Sequence, residues 1–113
     1  MVYGKSEMIA EERPNMRGGS GTVKMVKLVK DLPKNTRLFN RIVLEKGVSI
    51  GEHTHEGETE MFYFISGHGR ALDDGVWRDV GPGDSMSTPS GHSHGVENTG
   101  DEPLVFAAVI VLD

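Results

Sequence analysis

No stretch of this chain runs far enough between turn signals to build a helix of ordinary length. Its 113 residues contain fifteen glycines and five prolines. Many of them fall in compact turn sequences: Lys46–Gly47, Asp74–Gly75, Gly81–Pro82–Gly83 and the segment from Thr99 to Pro103. Glycine permits positive φ and proline fixes φ, so each of these sequences reverses or breaks the chain. The short apolar runs left between them are the punctuation of an all-β sandwich or barrel. Strands are expected over residues 22–29, 37–44, 49–55, 60–66, 68–73, 76–80, 84–88, 94–98 and 104–112, with Asp74–Gly75 as a tight hairpin turn. The length suits one core, and no segment repeats another at a fixed period. The expected organisation is therefore an N-terminal arm over residues 1–21, polar and glycine-rich near its end, followed by one β-barrel over residues 22–113.

Composition narrows the partners. A formal charge of −5 argues against nucleic acid, so Lys24, Lys27, Lys30, Lys34 and Arg37 read as solvated positions rather than a phosphate track. No apolar run reaches membrane length and no secretory pattern is present, so neither membrane nor export is expected. The lack of cysteine removes disulfides, thiolate ligands and cysteine nucleophiles together, and a cytoplasmic location is the expected one. The runs 61–65 and 104–112 are apolar on both faces, more than a monomeric barrel with a wet side would carry. A homodimer with packed sheets is expected, with exchange of the strand over residues 22–29 as one way to form it.

The chemistry sits in the histidines. His53 and His55 are two residues apart, so an extended strand sends both imidazoles to one face. Glu56, Gly57 and Glu58 form a polar bend, with the two carboxylates read as a solvated loop. Glu60 opens the next strand and folds back toward the pair. A fourth donor must come from elsewhere, and His94 and His92 both follow the tight turn Pro89–Ser90–Gly91 at suitable places. His68 is a weaker candidate. Neutral imidazole is the commonest metal ligand, and a carboxylate adds the charge that a divalent ion needs. The competing reading is a hydrogen-bonded polar cluster that holds no metal.

Two ordered spacings carry a family resemblance. Gly47, five residues, His53, one, His55, four, Glu60, six and Gly67 make the first; Gly83, five, Pro89, one, Gly91, two, His94, three and Asn98 make the second. Position for position they resemble the two motifs of the cupin superfamily, and the 15 residues between them suit its short microbial type. The chain is most similar to the small single-domain type 2 cupins often labelled oxalate-decarboxylase-like. The oxalate enzymes, though, carry an arginine three residues before the first histidine, and here Ile50 stands there. The resemblance implies a double-stranded β-helix, or jelly-roll, barrel and a homodimer. It also implies metal ligation by His53, His55, Glu60 and His94, the count from Gly91 selecting His94 over His92.

Such a set would hold one divalent ion, Mn, Fe, Ni, Co or Zn, and leave positions open on an octahedral one for a small-molecule ligand or substrate. Alternation from Glu60 places Phe62 and Phe64 on the inward face, and from His94 it places Val96 and Asn98 there. Phe39, Met86 and Phe106 are further candidates for the pocket lining. If the face shared by Arg37, Phe39, Arg41 and Val43 is inward, Arg41 becomes a bidentate clamp for a substrate carboxylate; an outward Arg41 is the alternative. Two functions follow. An open metal position beside an arginine clamp favours an enzyme acting on a small carboxylate-, keto- or diol-bearing metabolite by dioxygenation, decarboxylation or isomerisation. The other is a metal- and ligand-binding module that senses or stores without turnover.

Overall fold

The structure, a computed structural model, describes all residues from Met1 to Asp113. Ten strands make up the protein: β1 (Ile9–Pro14), β2 (Thr22–Lys27), β3 (Thr36–Leu44), β4 (Ser49–Thr54), β5 (Glu58–Ser66), β6 (Gly69–Asp73), β7 (Val76–Val80), β8 (Ser85–Thr88), β9 (Ser93–Glu97) and β10 (Leu104–Leu112). They pair antiparallel into a six-stranded sheet, β1-β2-β3-β10-β5-β8, and a four-stranded sheet, β4-β9-β6-β7. This is the all-β, single-domain arrangement that the turn spacing predicts, and it is compatible with the jelly roll that the cupin resemblance implies.

Period-two burial decides which side chains hold the sheets together. On β3 the buried positions are Asn40, Ile42 and Leu44; on β5 they are Glu60, Phe62 and Phe64; on β10 they are Leu104, Phe106, Ala108 and Ile110. Val48, Ile50 and Val96 meet these side chains from the opposite sheet side. Phe62 and Phe64 flank Phe106 with ring centroids 4.7 and 5.3 Å away, and burying each such ring contributes about 1.5–3 kcal/mol. At one end of the barrel the buried Asn98 amide ties loops to strands. Its Nδ2 donates to Leu44 O and Glu102 O at 2.8 and 2.9 Å, and its Oδ1 accepts from Gly100 N at 2.9 Å. Asn98 therefore braces the backbone and does not line a ligand pocket.

The parity of β3 overturns one expectation. Leu38, Asn40, Ile42 and Leu44 take the inner face, so Phe39 and Arg41 lie on the outer face of the six-stranded sheet, and Arg41 cannot clamp a ligand inside. Both faces of this strand carry apolar residues, so its pattern alone left the parity open. Burying Ile42 and Leu44 keeps a guanidinium out of the core, where its charge would be costly. Asn40, the polar group that does go inside, donates to Met25 Sδ. Outside, Arg41 lies between Val26 and Ala107, with its Nε buried and without a hydrogen-bond partner. The same face carries Phe39, Met61, Tyr63 and Ile65, each between 36% and 54% exposed.

Several boundaries shift by one residue, and three segments differ by more. Residues 9–14, read in the sequence as part of an arm, pair with β2 along the whole strand, from Ile9↔Lys27 to Pro14↔Thr22. Their composition is polar because β1 is an edge strand with little to bury. β2 stops at Lys27 and pairs with β1 and β3 of its own chain, so strand exchange is not needed to complete the sheet. β5 starts at Glu58, two residues before the expected Glu60, which brings Glu58 out of the bend and onto the face of Glu60.

Candidate metal centre

His53 and His94 are direct cross-strand partners between β4 and β9, and the register shifts just before them, between Ile50 and His53. That irregularity is functional in its effect. Ile50 is buried in the core, and strict alternation from it would send the side chains of residues 52 and 54 inward. The extra residue instead swaps the parity, so that Glu52 and Thr54 are exposed and His53 and His55 turn in. Bulges beside active sites re-aim side chains in this way. Glu60 reaches the same point from β5 in the other sheet, and His94 from β9.

The four donor atoms lie within 4.8 Å of one another. His55 Nε2 and His94 Nε2 are 3.0 Å apart and His94 Nε2 and His53 Nε2 3.2 Å apart. Glu60 Oε1 stands 3.0 Å from both His55 Nε2 and His94 Nε2. The rings meet edge to face, with centroids 4.7–4.9 Å apart.

What fixes the protons is the opposite side of each ring. His53 Nδ1 lies 2.8 Å from Gly51 O, which only accepts, so His53 carries its proton there. His55 Nδ1 lies 2.6 Å from Glu58 Oε2. The Arg37 guanidinium donates to both oxygens of Glu58, at 2.8 and 2.7 Å, and holds its carboxyl pKa down to about 2, with a smaller pull from His55. Glu58 is thus charged and accepts from His55. His94 Nδ1 is 2.7 Å from Thr88 Oγ1, a buried hydroxyl able to accept from it. Burial, partly offset by the Gly51 contact, lowers the His53 pKa to about 4, so its ring is neutral at pH 7. Three Nε2 lone pairs and a carboxylate oxygen then converge with no proton assigned among them. A cation satisfies all four at once, and histidines held by a second group at Nδ1 are the usual form of a metal site. The residues present fit a divalent metal ion.

The cluster lies at one wall of a cavity of about 320 Å³, whose lining includes Ile42, Ile50, Phe62, Arg13, Arg17 and Arg37. Phe62 also stacks on His94, with centroids 5.0 Å apart and the rings 22° from parallel. Among the other sequence candidates, Phe64, Val96 and Phe106 belong to the packed core. Met86 touches the core and lines a separate hollow with Asp73, Arg78 and Asp84. His92 bonds to Asp74 on the surface and His68 packs beside Gly81; neither joins the cluster.

Sequence reasoning missed the support around the ligands. Arg37 and Glu58 read as solvated charges but form the pair that orients His55. A signal existed for Glu58: it is two residues before Glu60 on an extended strand and so shares its face. For Arg13 and Arg17, within a segment read as an arm, there was none.

Comparison with known proteins gives the family and the fold. The cupin domain family matches residues 40–111. A Thermotoga maritima protein called oxalate-binding protein is 44% identical over 114 residues, spanning 99% of this chain and 94% of the relative. A crystal structure from the same organism, described as a predicted oxalate decarboxylase, superposes with a TM-score of 0.92 at 44% identity over the full length of both chains. An RmlC-like cupin from Shewanella frigidimarina shares the fold alone, with a TM-score of 0.76 at 18% identity over 99% of this chain and 90% of that one. No helix is long and apolar enough to cross a membrane. Because the family match runs from β3 through β10 and takes in all four clustered side chains, the chain belongs to the cupin family.

Proposed function

We propose that this cupin holds one divalent metal ion through His53, His55, Glu60 and His94 and uses it to bind a small dicarboxylate of the oxalate type. The carrying observation is the convergence of three imidazole nitrogens and one carboxylate oxygen at the wall of a cavity. Octahedral Mn(II), Fe(II), Ni(II) or Co(II) would keep two positions open beyond these four donors, and Zn(II) suits the same set. The ion supplies Lewis-acid attraction for a carboxylate. The protein's own residues supply the rest: Phe62, Ile42 and Ile50 exclude water from one side, and the arginines at the rim add positive charge.

Binding is favoured over turnover by what lines the cavity. Glu60 is its one carboxylate and is committed to the cluster, so no free acid or base stands by to move a proton. The sequence argument for an enzyme leaned on Arg41, which lies on the outer face. The name of the 44% identical relative supports the same reading. Decarboxylation at the same site is the second reading, supported by the open coordination positions and by the description of the Thermotoga structure. Calorimetric titration of oxalate into metal-loaded and metal-free protein tests the first, with formate and carbon dioxide assayed in the same samples. Metal-dependent binding without products is expected; binding that is indifferent to the metal would refute the proposal, and stoichiometric product would replace it with the second reading.

The outer face of the six-stranded sheet supports a homodimer. Phe39 and Met61 flank Val109 in one cross-strand row, and Tyr63 and Arg41 flank Ala107 in the next. A contiguous apolar patch of this kind is ordinarily covered in solution.

A further inference from the structure

The rim of the metal cavity is built by the end of β1, which supplies Arg13, and by the segment between β1 and β2, which supplies Asn15, Met16 and Arg17. Resting on the dicarboxylate reading above, we propose that Arg17 recognises the ligand's second carboxylate, the one not held at the metal, and so selects dicarboxylates over monocarboxylates. Three arginines line the cavity, and two are already engaged. Arg37 is held by both oxygens of Glu58, and Arg13 Nε lies 3.1 Å from Glu11 Oε2. Arg17 has no ion pair and no side-chain hydrogen bond, and it lines the same cavity as His53, His55 and Glu60. An unspent guanidinium beside a concave metal site is a bidentate carboxylate receptor by its own geometry.

The backbone around Arg17 is held in a way that chance would not favour. Asn15 and Arg17 have φ of 50° and 56°, the left-handed region that residues with a side chain seldom occupy. Such conformations persist where the surroundings over-determine them, commonly at binding sites. Here Asn15 N donates to Gly21 O at 2.8 Å, Gly18 N to Asn15 O at 3.0 Å and Gly19 N to Met16 O at 3.0 Å, while Met16 packs on the core. The turn is seated directly on β4. A Cβ on Gly51 would come within 2.0 Å of Arg17 O, and one on Gly19 within 2.2 Å of Ser49 O. Gly51 is the residue whose carbonyl also anchors His53. The same residue thus anchors His53 on one side and packs against the arginine's backbone on the other, so the position of the Arg17 backbone relative to His53 is set by main-chain packing.

The test compares full-length wild type with Arg17→Gln and Arg17→Lys, each loaded with Mn(II), by calorimetric titration of oxalate and of acetate. Metal affinity is measured separately against a chelator, and folding by thermal unfolding. Loss of a charge-assisted bidentate contact should weaken oxalate binding by about tenfold or more in Arg17→Gln, with acetate and Mn(II) binding unchanged. Arg17→Lys, which keeps the charge and loses the fork, should fall between. Oxalate affinity equal to wild type in Arg17→Gln would overturn the assignment of Arg17 while leaving the metal and dicarboxylate reading intact. Equal losses for acetate and oxalate would overturn it too, by showing no selection between them. Failure of wild type to bind oxalate at all would remove both.

Discussion

Thr88 has the clearest separable role near the proposed metal site, and replacing it with valine isolates that role. Valine nearly matches threonine in shape, so packing in this 2% exposed position is kept while the hydroxyl 2.7 Å from His94 Nδ1 is lost. His94 is itself 1% exposed, so water does not readily replace the partner. In the metal-bound protein the proton must stay on Nδ1, and an unsatisfied buried donor costs about 1–3 kcal/mol. The metal-free protein can escape most of that cost. It can move the proton to His94 Nε2, which then donates to Glu60 Oε1 at 3.0 Å. The penalty therefore falls mainly on the bound state, and metal affinity should drop roughly 10- to 100-fold, the range found for second-sphere partners. Competition against a chelator of known affinity measures the drop, and thermal unfolding of the metal-free variant should show a much smaller change. Thr88→Ser should restore affinity. Undiminished metal binding in Thr88→Val, or a Thr88→Ser variant as weak as the valine, would refute the argument that the hydroxyl sets the tautomer.

Other outcomes follow from the same coordinates. Saturating divalent metal at about 100 times its Kd should stabilise the fold by about 2.7 kcal/mol, seen as a raised Tm that chelation reverses and that Glu60→Gln largely abolishes. Asn98→Ala removes three hydrogen bonds from a buried amide; at about 1 kcal/mol each the loss is roughly 3 kcal/mol, measurable by urea unfolding. A urea midpoint unchanged from wild type would show that these contacts carry no net stability. Tyr63→Glu combined with Met61→Lys should convert a dimer to a monomer in sedimentation without loss of metal affinity; a double variant that sediments as wild type would place any interface elsewhere.

Much of the His–Glu cluster was legible because its information is local. A two-residue spacing and a bend bring His53, His55 and Glu60 together without knowing which sheets face each other, whereas the choice of His94 over His92 came from the cupin resemblance. Strands bounded by strong turn residues were equally plain: 76–80 and 104–112 match β7 and β10 end to end. Where the reading failed, the deciding energy was long-range. The parity of β3 depends on which face of the six-stranded sheet meets the four-stranded one, and both of its own faces carry apolar side chains, so Phe39 and Arg41 were open to either assignment. The segment around Arg17 is polar because it caps a cavity and edges a sheet, and polarity alone reads the same as an unstructured arm. The parity swap at Gly51 and Glu52 leaves no compositional trace, although its result, two inward histidines, was anticipated.

The centre joins parts of the fold that otherwise share no main-chain ladder. His53 and His94 belong to the four-stranded sheet and Glu60 to the six-stranded one. A cation bound there would act as a rivet between the two halves of the sandwich at its open end, whereas Asn98 already fastens loops to strands by amide contacts. Slow breathing of the halves should then depend on occupancy, with amides of β9 and the start of β5 exchanging with deuterium faster once the ion is stripped and those of β10 scarcely affected.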